Sequence, residues 1–247
     1  MLKVEAPGGA REILLHACCA PCSGAILECL RDSGIRPTVF FSNSNIYPRE
    51  EYELRLSELR RYAELMGVEL VADEYDHETW LAAVRGLENE PERGARCAAC
   101  FRFRLGRAAR YAASRGLPVL ATTLASSRWK DLDQVNSAGT TACCGTEAAV
   151  GSENRATLGS VRGGTASEMW GPHKSQICGV QLAQRWGPKD VFRPEPPCSE
   201  AEQAAVAFWP QNWRKGGLQE RRNEVIREQR FYNQNWCGCE FSRKSNL

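Results

Sequence analysis

Short apolar segments alternate with longer amphipathic segments from Arg11 to Thr123, and this alternation constrains the fold more than any other feature. The apolar segments predict four strands, at Glu12–Ala17, Thr38–Phe41, Val68–Ala72 and Pro118–Thr123. The segments between and after them have apolar residues at helical spacing, which predicts helices at Gly24–Arg31, Arg49–Met66, His77–Leu87 and Phe101–Arg115. Strands and helices that alternate in this way predict an α/β fold, with a parallel sheet covered by helices.

The composition changes near Gly139. Between Ser137 and Trp170, fifteen of 34 residues are Gly, Ser or Thr, and only three are Val, Leu, Ile or Phe. Such a stretch has too few apolar side chains to form a core. We therefore predict an α/β domain over residues 1–142, a poorly structured insertion at 143–205 that forms a mobile loop, and a C-terminal helical segment over 206–247. The last segment is expected to pack on the first domain and to contain a charged helix at Leu218–Phe231.

The overall composition is that of a soluble globular protein. The chain has 247 residues, of which 43% are hydrophobic, and a net charge of +2, which excludes collagen-like and disordered classes. No apolar run approaches the ~20 residues that a membrane helix needs. Glu5, Arg11 and Glu12 fall where a signal peptide would be apolar, so we expect a cytoplasmic protein with no membrane partner.

The unusual number is twelve cysteines, most of which fall into three tight groups. The groups are Cys18-Cys19-x-x-Cys22, Cys97-x-x-Cys100 and Cys237-x-Cys239. In a compartment that keeps thiols reduced, so many cysteines favour metal or redox chemistry over structural disulfides. The first group follows the first predicted strand, where an α/β sheet binds its ligand.

The first two groups together supply five candidate thiolates. A Cys-x-x-Cys spacing suits zinc, an iron–sulfur cluster or a redox disulfide. Five thiolates exceed the four ligands of tetrahedral zinc, whereas a four-iron cluster needs three or four. The fifth sulfur could be a core residue or bind an additional iron.

The third group, Cys237-Gly238-Cys239, differs in kind. Cysteines separated by one residue can form a small strained disulfide, and strain makes the bond easier to reduce. Gly238 relaxes the backbone limits on that ring. The pair is therefore a plausible reversible store of two electrons, and the alternative is that one or both sulfurs bind metal.

Charge suggests a nucleic-acid partner. Gly94–Lys130 contains seven arginines and one lysine with no Asp or Glu, which is typical of a surface that faces phosphates. Aromatic and basic residues near the third cysteine group could add base stacking; they are Trp209, Trp213, Arg214, Lys215, Arg221 and Arg222. The alternative is a solvated helix face whose counter-charges lie elsewhere.

The chain resembles the cobalamin-independent epoxyqueuosine reductase family, of the QueH type, in four segments that occur in the family's order. The segments are HACCAPCSGA, RCAACFRFRLGRAARYA, TTLASSRWKDLDQV and FYNQNWCGCEFS. The resemblance covers Arg11–Ala142 and Phe208–Ser242. We recognise no counterpart for the segment from Cys143 to Ala205.

The resemblance implies a Rossmann-like sheet and the last step of queuosine synthesis, in which two electrons remove the epoxide oxygen of epoxyqueuosine in tRNA. It implies that Cys18, Cys19, Cys97 and Cys100 bind a [4Fe-4S] cluster. It also implies that Cys237 and Cys239 form a redox-active disulfide, and it leaves open whether Cys22 binds an additional iron. An electron donor is required, and the sequence does not identify it.

A proton donor is also required, and its candidates are Asp131, Lys130, His16 and Tyr232. Asp131 is preferred because it belongs to the TTLASSRWKD segment at a predicted strand end. Two other functional classes stay open. One is a thiol–disulfide oxidoreductase, and the other is a tRNA-binding module stabilised by zinc. The absence of a Gly-rich nucleotide loop after the first strand disfavours a tRNA thiolation enzyme.

Overall fold

The central sheet has five parallel strands, as the strand and helix alternation predicts. The computed structural model describes residues 2–144 and 205–243. The strands are β1 (Glu12–His16), β2 (Arg36–Phe41), β3 (Leu70–Ala72), β4 (Val119–Thr122) and β5 (Ala207–Phe208). Their order is β3-β2-β1-β4-β5, and all pairs are parallel. The predicted α/β fold class with a helix-covered parallel sheet is confirmed.

Seven helices surround this sheet in the described part of the chain. They are α1 (Ala20–Asp32), α2 (Arg49–Met66), α3 (His77–Ala83), α4 (Ala95–Ser114), α5 (Leu132–Cys144), α6 (Leu218–Gln229) and α7 (Glu240–Arg243). Short 3-10 turns lie at Pro7–Gly9 and Thr123–Ser126. None of the helices described is long and apolar enough to span a membrane.

Helix α4 begins six residues earlier than the apolar spacing predicts. Gly94 precedes it in an extended conformation, and the Glu90 carboxylate accepts a hydrogen bond from the Ala95 N–H at 3.2 Å. This side chain satisfies one of the amides that a helix start leaves without a partner. As a result, Cys97 and Cys100 lie in the first two turns of the helix rather than ahead of it.

The sequence pattern does not predict helix α5, in which Gly139, Thr140 and Thr141 are weak helix formers. The Asp131 carboxylate caps it by accepting from the Gln134 N–H at 3.0 Å. Its apolar face, which includes Val135 and Ala138, is buried. Tertiary packing therefore outweighs the weak helix propensity. The predicted insertion at 143–205 lies outside the described residues except for its ends, and its first two residues belong to α5.

The C-terminal segment contributes a strand as well as helices. β5 pairs with β4 at the edge of the sheet, and the Phe208 ring packs on α5 beside Gly139. A Cβ atom at Gly139 would lie 2.2 to 2.5 Å from three atoms of that ring. The close approach of α5 and β5 therefore depends on glycine, which has no side chain, at position 139.

The strand order places the carboxyl ends of β1 and β4 side by side. His16 is opposite both Thr122 on β4 and Phe40 on β2. After β1 the chain continues to β2 and β3 on one side of β1. The strands β4 and β5 then extend the sheet on the other side of β1. This is the switch point at which open α/β sheets bind ligands, and the first cysteine group follows it directly.

Replacing Gly139 tests the packing of β5 on α5. Gly139→Ala should lower the free energy of unfolding by about 1–3 kcal/mol, because the ring of Phe208 must move to admit the methyl group. The midpoint of urea unfolding measures the change. Gly106→Ala in α4 is the matched control, since its nearest neighbour is the Arg110 guanidinium at 3.6 Å. The control should be stabilised by about 0.5–1 kcal/mol. A Gly139→Ala midpoint at or above that of the parent chain would contradict this packing.

Candidate metal centre

Three sulfur atoms converge in the loop that follows β1. The Sγ atoms of Cys18, Cys19 and Cys22 all lie within 4.8 Å of one another, and Cys18 and Cys19 are 3.7 Å apart. Cys19 is the N-cap of α1, and Cys22 lies in its first turn. The positive end of a helix dipole stabilises thiolates at this position. The strand end and the helix start therefore bring three soft ligands to one point.

Cys18 is the acidic member of this group. Hydrogen bonds from the Cys19 and Cys22 thiols lower the pKa of Cys18 well below its usual value, and the charges of Lys130 and Arg104 add to this. The same coupling raises the pKa of Cys19 and Cys22. Thr123 fixes the position of Cys18, because its hydroxyl accepts from the Cys18 N–H at 3.1 Å and lies 3.4 Å from the sulfur. The group thus contains one thiolate that accepts hydrogen bonds from two thiols. A metal that binds here would displace the protons of those two thiols.

Cys97 and Cys100 approach from α4. Cys97 packs against the hydrophobic cluster that contains Cys18 and Cys19, and its sulfur accepts from the Arg93 N–H at 3.3 Å. Burial raises its pKa to about 11. Cys100 is buried in a neighbouring cluster with Cys239, and burial raises its pKa too. Across the described residues, Cys18, Cys19 and Cys22 form the only group of three potential ligands within 4.8 Å. Of the four predicted cluster ligands, the structure thus joins Cys18 and Cys19 and packs Cys97 against their hydrophobic cluster, whereas Cys100 lies in the neighbouring cluster with Cys239.

A buried cation makes the site fit an anionic cofactor. Arg104 is 3% exposed, and it donates hydrogen bonds to the neutral oxygens of Ser42 and Asn43. No carboxylate in residues 2–144 or 205–243 pairs with it. Its charge instead lowers the pKa of Cys18 and partly offsets the effect of burial, which raises the pKa of Cys100. Because a buried charge needs compensation, this environment fits a metal or cluster held by several thiolates.

The third cysteine group lies next to the second. Cys237 and Cys239 are thiols in this structure, and Cys239 packs in the same cluster as Cys100. Interaction with Cys239, followed by the charge of Lys130 and a hydrogen bond with Ser242, lowers the pKa of Cys237 well below its usual value. The pKa of Cys239 is raised for the same reason. The pair therefore has one nucleophilic sulfur and one protonated sulfur, as expected of a redox dithiol.

Lys130 connects the first and third groups. Burial opposes its charge, but the negative charges of the first and third cysteine groups, chiefly those of Cys18 and Cys237, raise its pKa. The neighbouring Asp131 instead caps α5. The TTLASSRWKD segment therefore reaches the site both through Thr123, whose hydroxyl contacts Cys18, and through the charge of Lys130. The role of Asp131 as proton donor stays a prediction.

His16 and Tyr232, the other proton-donor candidates, have different positions. Burial, followed by the charge of Arg104, lowers the pKa of His16 to about 3, so the imidazole is neutral at physiological pH. It lies 2.8 Å from the Thr122 hydroxyl and 3.2 Å from the Ser42 carbonyl. The Tyr232 hydroxyl donates to Glu51 at the surface. These contacts make His16 a structural residue and engage Tyr232 with α2.

The basic stretch does not form one continuous cationic surface, which corrects the expectation from sequence. Arg96 and Arg104 are buried, and Arg107 pairs with Asp73. The helix periodicity turns these arginines inward, where their side chains hold loops together. Charge counting along the sequence could not detect this.

Two residues expected to stack on bases are core residues. Trp209 and Trp213 are buried, and the Trp213 indole donates to the Thr122 carbonyl at 3.1 Å. Arg221 is bound to Glu28 at 2.7 Å and is not free to hold phosphates. The aromatic residue that sequence reasoning overlooked is Trp129, the most exposed large apolar side chain described.

Comparison with known families places this chain in one of them. The family model described as epoxyqueuosine reductase QueH matches residues 13–185 and 196–245. The chain belongs to this epoxyqueuosine reductase QueH family. The match includes most of 143–205, where the sequence motifs provided no counterpart, so the resemblance is wider than they indicated.

Relatives named epoxyqueuosine reductase QueH align over most of the chain. The protein of Histophilus somni is 35% identical over 97% of this chain and 75% of its own length. That of Haemophilus influenzae is 34% identical over 99% and 77%. The protein of Thermotoga maritima is 26% identical over 93% and 89%. Membership in the QueH family therefore extends over the sheet, the three cysteine groups and the C-terminal segment.

Proposed function

We propose that this chain reduces epoxyqueuosine in tRNA to queuosine. The reaction removes the epoxide oxygen as water and consumes two electrons and two protons. The observation that carries the proposal is the convergence of three cysteine sulfurs at the β1–β4 switch point, in a chain of the QueH family. This is where an open α/β sheet binds its substrate.

Cys18, Cys19, Cys97 and Cys100 are proposed to hold a [4Fe-4S] cluster. When bound, such a cluster would supply electrons one at a time. With four cysteine ligands it has no open iron, so the Lewis acid toward oxygen would be an additional iron. Cys22 is the proposed ligand of an additional iron, since its sulfur lies within 4.8 Å of Cys18 and Cys19. The buried charge of Arg104 supports an anionic occupant.

Cys237 and Cys239 are proposed to supply the reducing equivalents. Oxidation of the two thiols to a disulfide releases two electrons and two protons, which is the amount that the reaction consumes. An electron donor, which the sequence does not identify, then returns the disulfide to the dithiol. The packing of Cys239 with Cys100 supports transfer between the two sites.

Lys130 is proposed as the residue that delivers a proton to the leaving oxygen. The negative charges of Cys18 and Cys237 raise its pKa against the effect of burial, so its ammonium group stays protonated near both cysteine groups. Asp131, the residue preferred from the sequence, is engaged as the cap of α5. Lys130 therefore takes the role that the sequence assigned to its neighbour.

Metal analysis tests the cluster. Protein purified without oxygen should contain about four irons and four sulfides per chain, and more iron would support an additional site at Cys22. Cys18→Ser should lose at least half of the iron. Cys29→Ser is the matched control and should keep it, because Cys29 is buried and its thiol donates to the Leu2 carbonyl. Zinc without sulfide would replace the proposal with a zinc-stabilised tRNA-binding module. A chain without metal would favour a thiol–disulfide oxidoreductase.

Replacing the dithiol tests its role in turnover. With a dithiol reductant and tRNA that carries epoxyqueuosine, Cys237→Ser and Cys239→Ser should lose multiple-turnover activity by about 100-fold or more, as expected when a group that forms a reaction intermediate is removed. Their iron content should stay at the parent level, and Cys29→Ser should remain active. Full multiple-turnover activity in both serine variants would exclude the dithiol as electron relay.

A pair of variants separates Lys130 from Asp131. Lys130→Met should lower the rate by about 100-fold, within the range expected for loss of a general acid. Asp131→Asn should retain most activity, because an amide oxygen can still cap α5. Nucleoside analysis of the tRNA gives the rates, and iron content shows that both variants are loaded. The opposite ranking would return the proton to Asp131.

A further inference from the structure

Five consecutive backbone carbonyls in Ser126–Lys130 each accept a hydrogen bond from a side chain. Gln219 donates to Ser126 at 2.9 Å, Arg214 to Ser127 at 2.6 Å and to Lys130 at 2.8 Å, and Arg93 to Arg128 at 3.0 Å and to Trp129 at 3.1 Å. The donors come from both sides of the segment, from the turn before α4 and from the C-terminal region. The backbone of this loop is therefore held in one conformation rather than left to adapt.

This rigid loop presents an indole to solvent. The Trp129 side chain is 70% exposed, whereas Trp80, Trp209 and Trp213 are all buried in the core. An exposed tryptophan on a mobile loop could fold back on the surface. Here the two arginines hold the backbone on either side of it, so a partner that binds the ring does not have to order this loop.

The position of Trp129 relates it to the thiol site. The next residue, Lys130, acts on the thiolates of Cys18 and Cys237. Arg93 donates from its side chain to the Trp129 carbonyl and from its backbone N–H to the Cys97 sulfur at 3.3 Å. Trp129 is thus linked to the site twice, through Lys130 and through Arg93. We therefore place its indole at the solvent edge of the site.

The chemistry of this edge suits RNA. Arg128, the residue before Trp129, is exposed, and the guanidinium groups of Arg93 and Arg214 are bound to carbonyls of the same loop. A flat aromatic face next to cationic groups binds unpaired bases by stacking, while the charges attract the phosphates. Bases in a single-stranded loop can stack in this way, whereas those in a duplex are already stacked on each other.

We propose that Trp129 is a stacking platform for an unpaired base of the RNA substrate, next to the nucleotide that enters the thiol site. This rests on the proposed function, which supplies an RNA substrate. Trp129 thereby replaces Trp209 and Trp213 as the base-binding aromatic residue. Its contribution is to hold the unpaired segment of the RNA in place, while the chemistry belongs to the cysteine groups.

Binding of a fluorescent RNA hairpin with a seven-nucleotide loop tests the proposal, using protein purified without oxygen and a fixed salt concentration. Trp129→Ala should weaken binding by about tenfold, the loss expected for one base–aromatic stack. Trp129→Phe should stay within about threefold of the parent chain, because it keeps an aromatic face. Leu65→Ala is the matched control: Leu65 is 63% exposed on α2, and its replacement should not change binding. A blunt RNA duplex should bind the parent and Trp129→Ala equally.

The outcomes distinguish this inference from the proposed function. If the parent chain reduces epoxyqueuosine in tRNA but Trp129→Ala binds the hairpin as well as the parent does, the stacking role is overturned alone. Equal weakening by Trp129→Ala for hairpin and duplex would also overturn it, since the residue would then not recognise unpaired bases. If the parent binds no RNA at all, the RNA substrate and with it the proposed function fail.

Discussion

The site depends on a buried neutral histidine that ties three strand ends together. His16 ends β1, its Nδ1 lies 2.8 Å from the hydroxyl of Thr122 on β4, and its Nε2 lies 3.2 Å from the carbonyl of Ser42, just after β2. A carbonyl can only accept, so Nε2 carries the proton and Nδ1 accepts from Thr122. Because burial lowers the pKa of His16 to about 3, this arrangement persists through the physiological range. Cys18 and Thr123 lie in the loops that follow β1 and β4. Because His16 holds these strand ends together, the Cys18 N–H can donate to the Thr123 hydroxyl.

The positive charges of the site come from the same elements as its thiols. Arg104 lies four residues after Cys100 and therefore on the same face of α4, one turn further along. It reaches across to Asn43 and Ser42, beyond β2. A helix that supplies candidate ligands thus also supplies the cation that stabilises their anionic form. This pairing explains why a run of arginines begins beside Cys97, although that run does not form a surface.

The sequence predicts those features of the fold and of the site that depend on residues close together in the chain. It does not predict those that depend on contacts between distant segments. Strand ends and cysteine groups are local features, and the first group does fall after β1, where the pattern places it. The inward direction of Arg104 and the exposure of Trp129 depend on contacts between distant segments, as does the formation of α5. Arg104 at the fourth position after Cys100 was a readable signal, because the spacing places both on one helix face. Nothing local distinguishes Trp129 from the buried Trp213, since the hydrogen bonds that hold its loop come from the distant residues Arg93, Arg214 and Gln219.

The dithiol is anchored to parts of the fold other than those that carry the first two cysteine groups. Arg55 on α2 donates to the Cys237 carbonyl at 3.2 Å, and the Tyr47 N–H donates to the Gly238 carbonyl at 2.9 Å. Gly238 has φ 94°, and a Cβ there would lie 2.9 Å from the Ile46 side chain, so a glycine is required at this turn. The backbone around the dithiol is held from the β2 side, while its sulfurs face α4. The backbone of the dithiol is therefore held by α2 and the loop after β2, and not by the loop of Cys18 and Cys19.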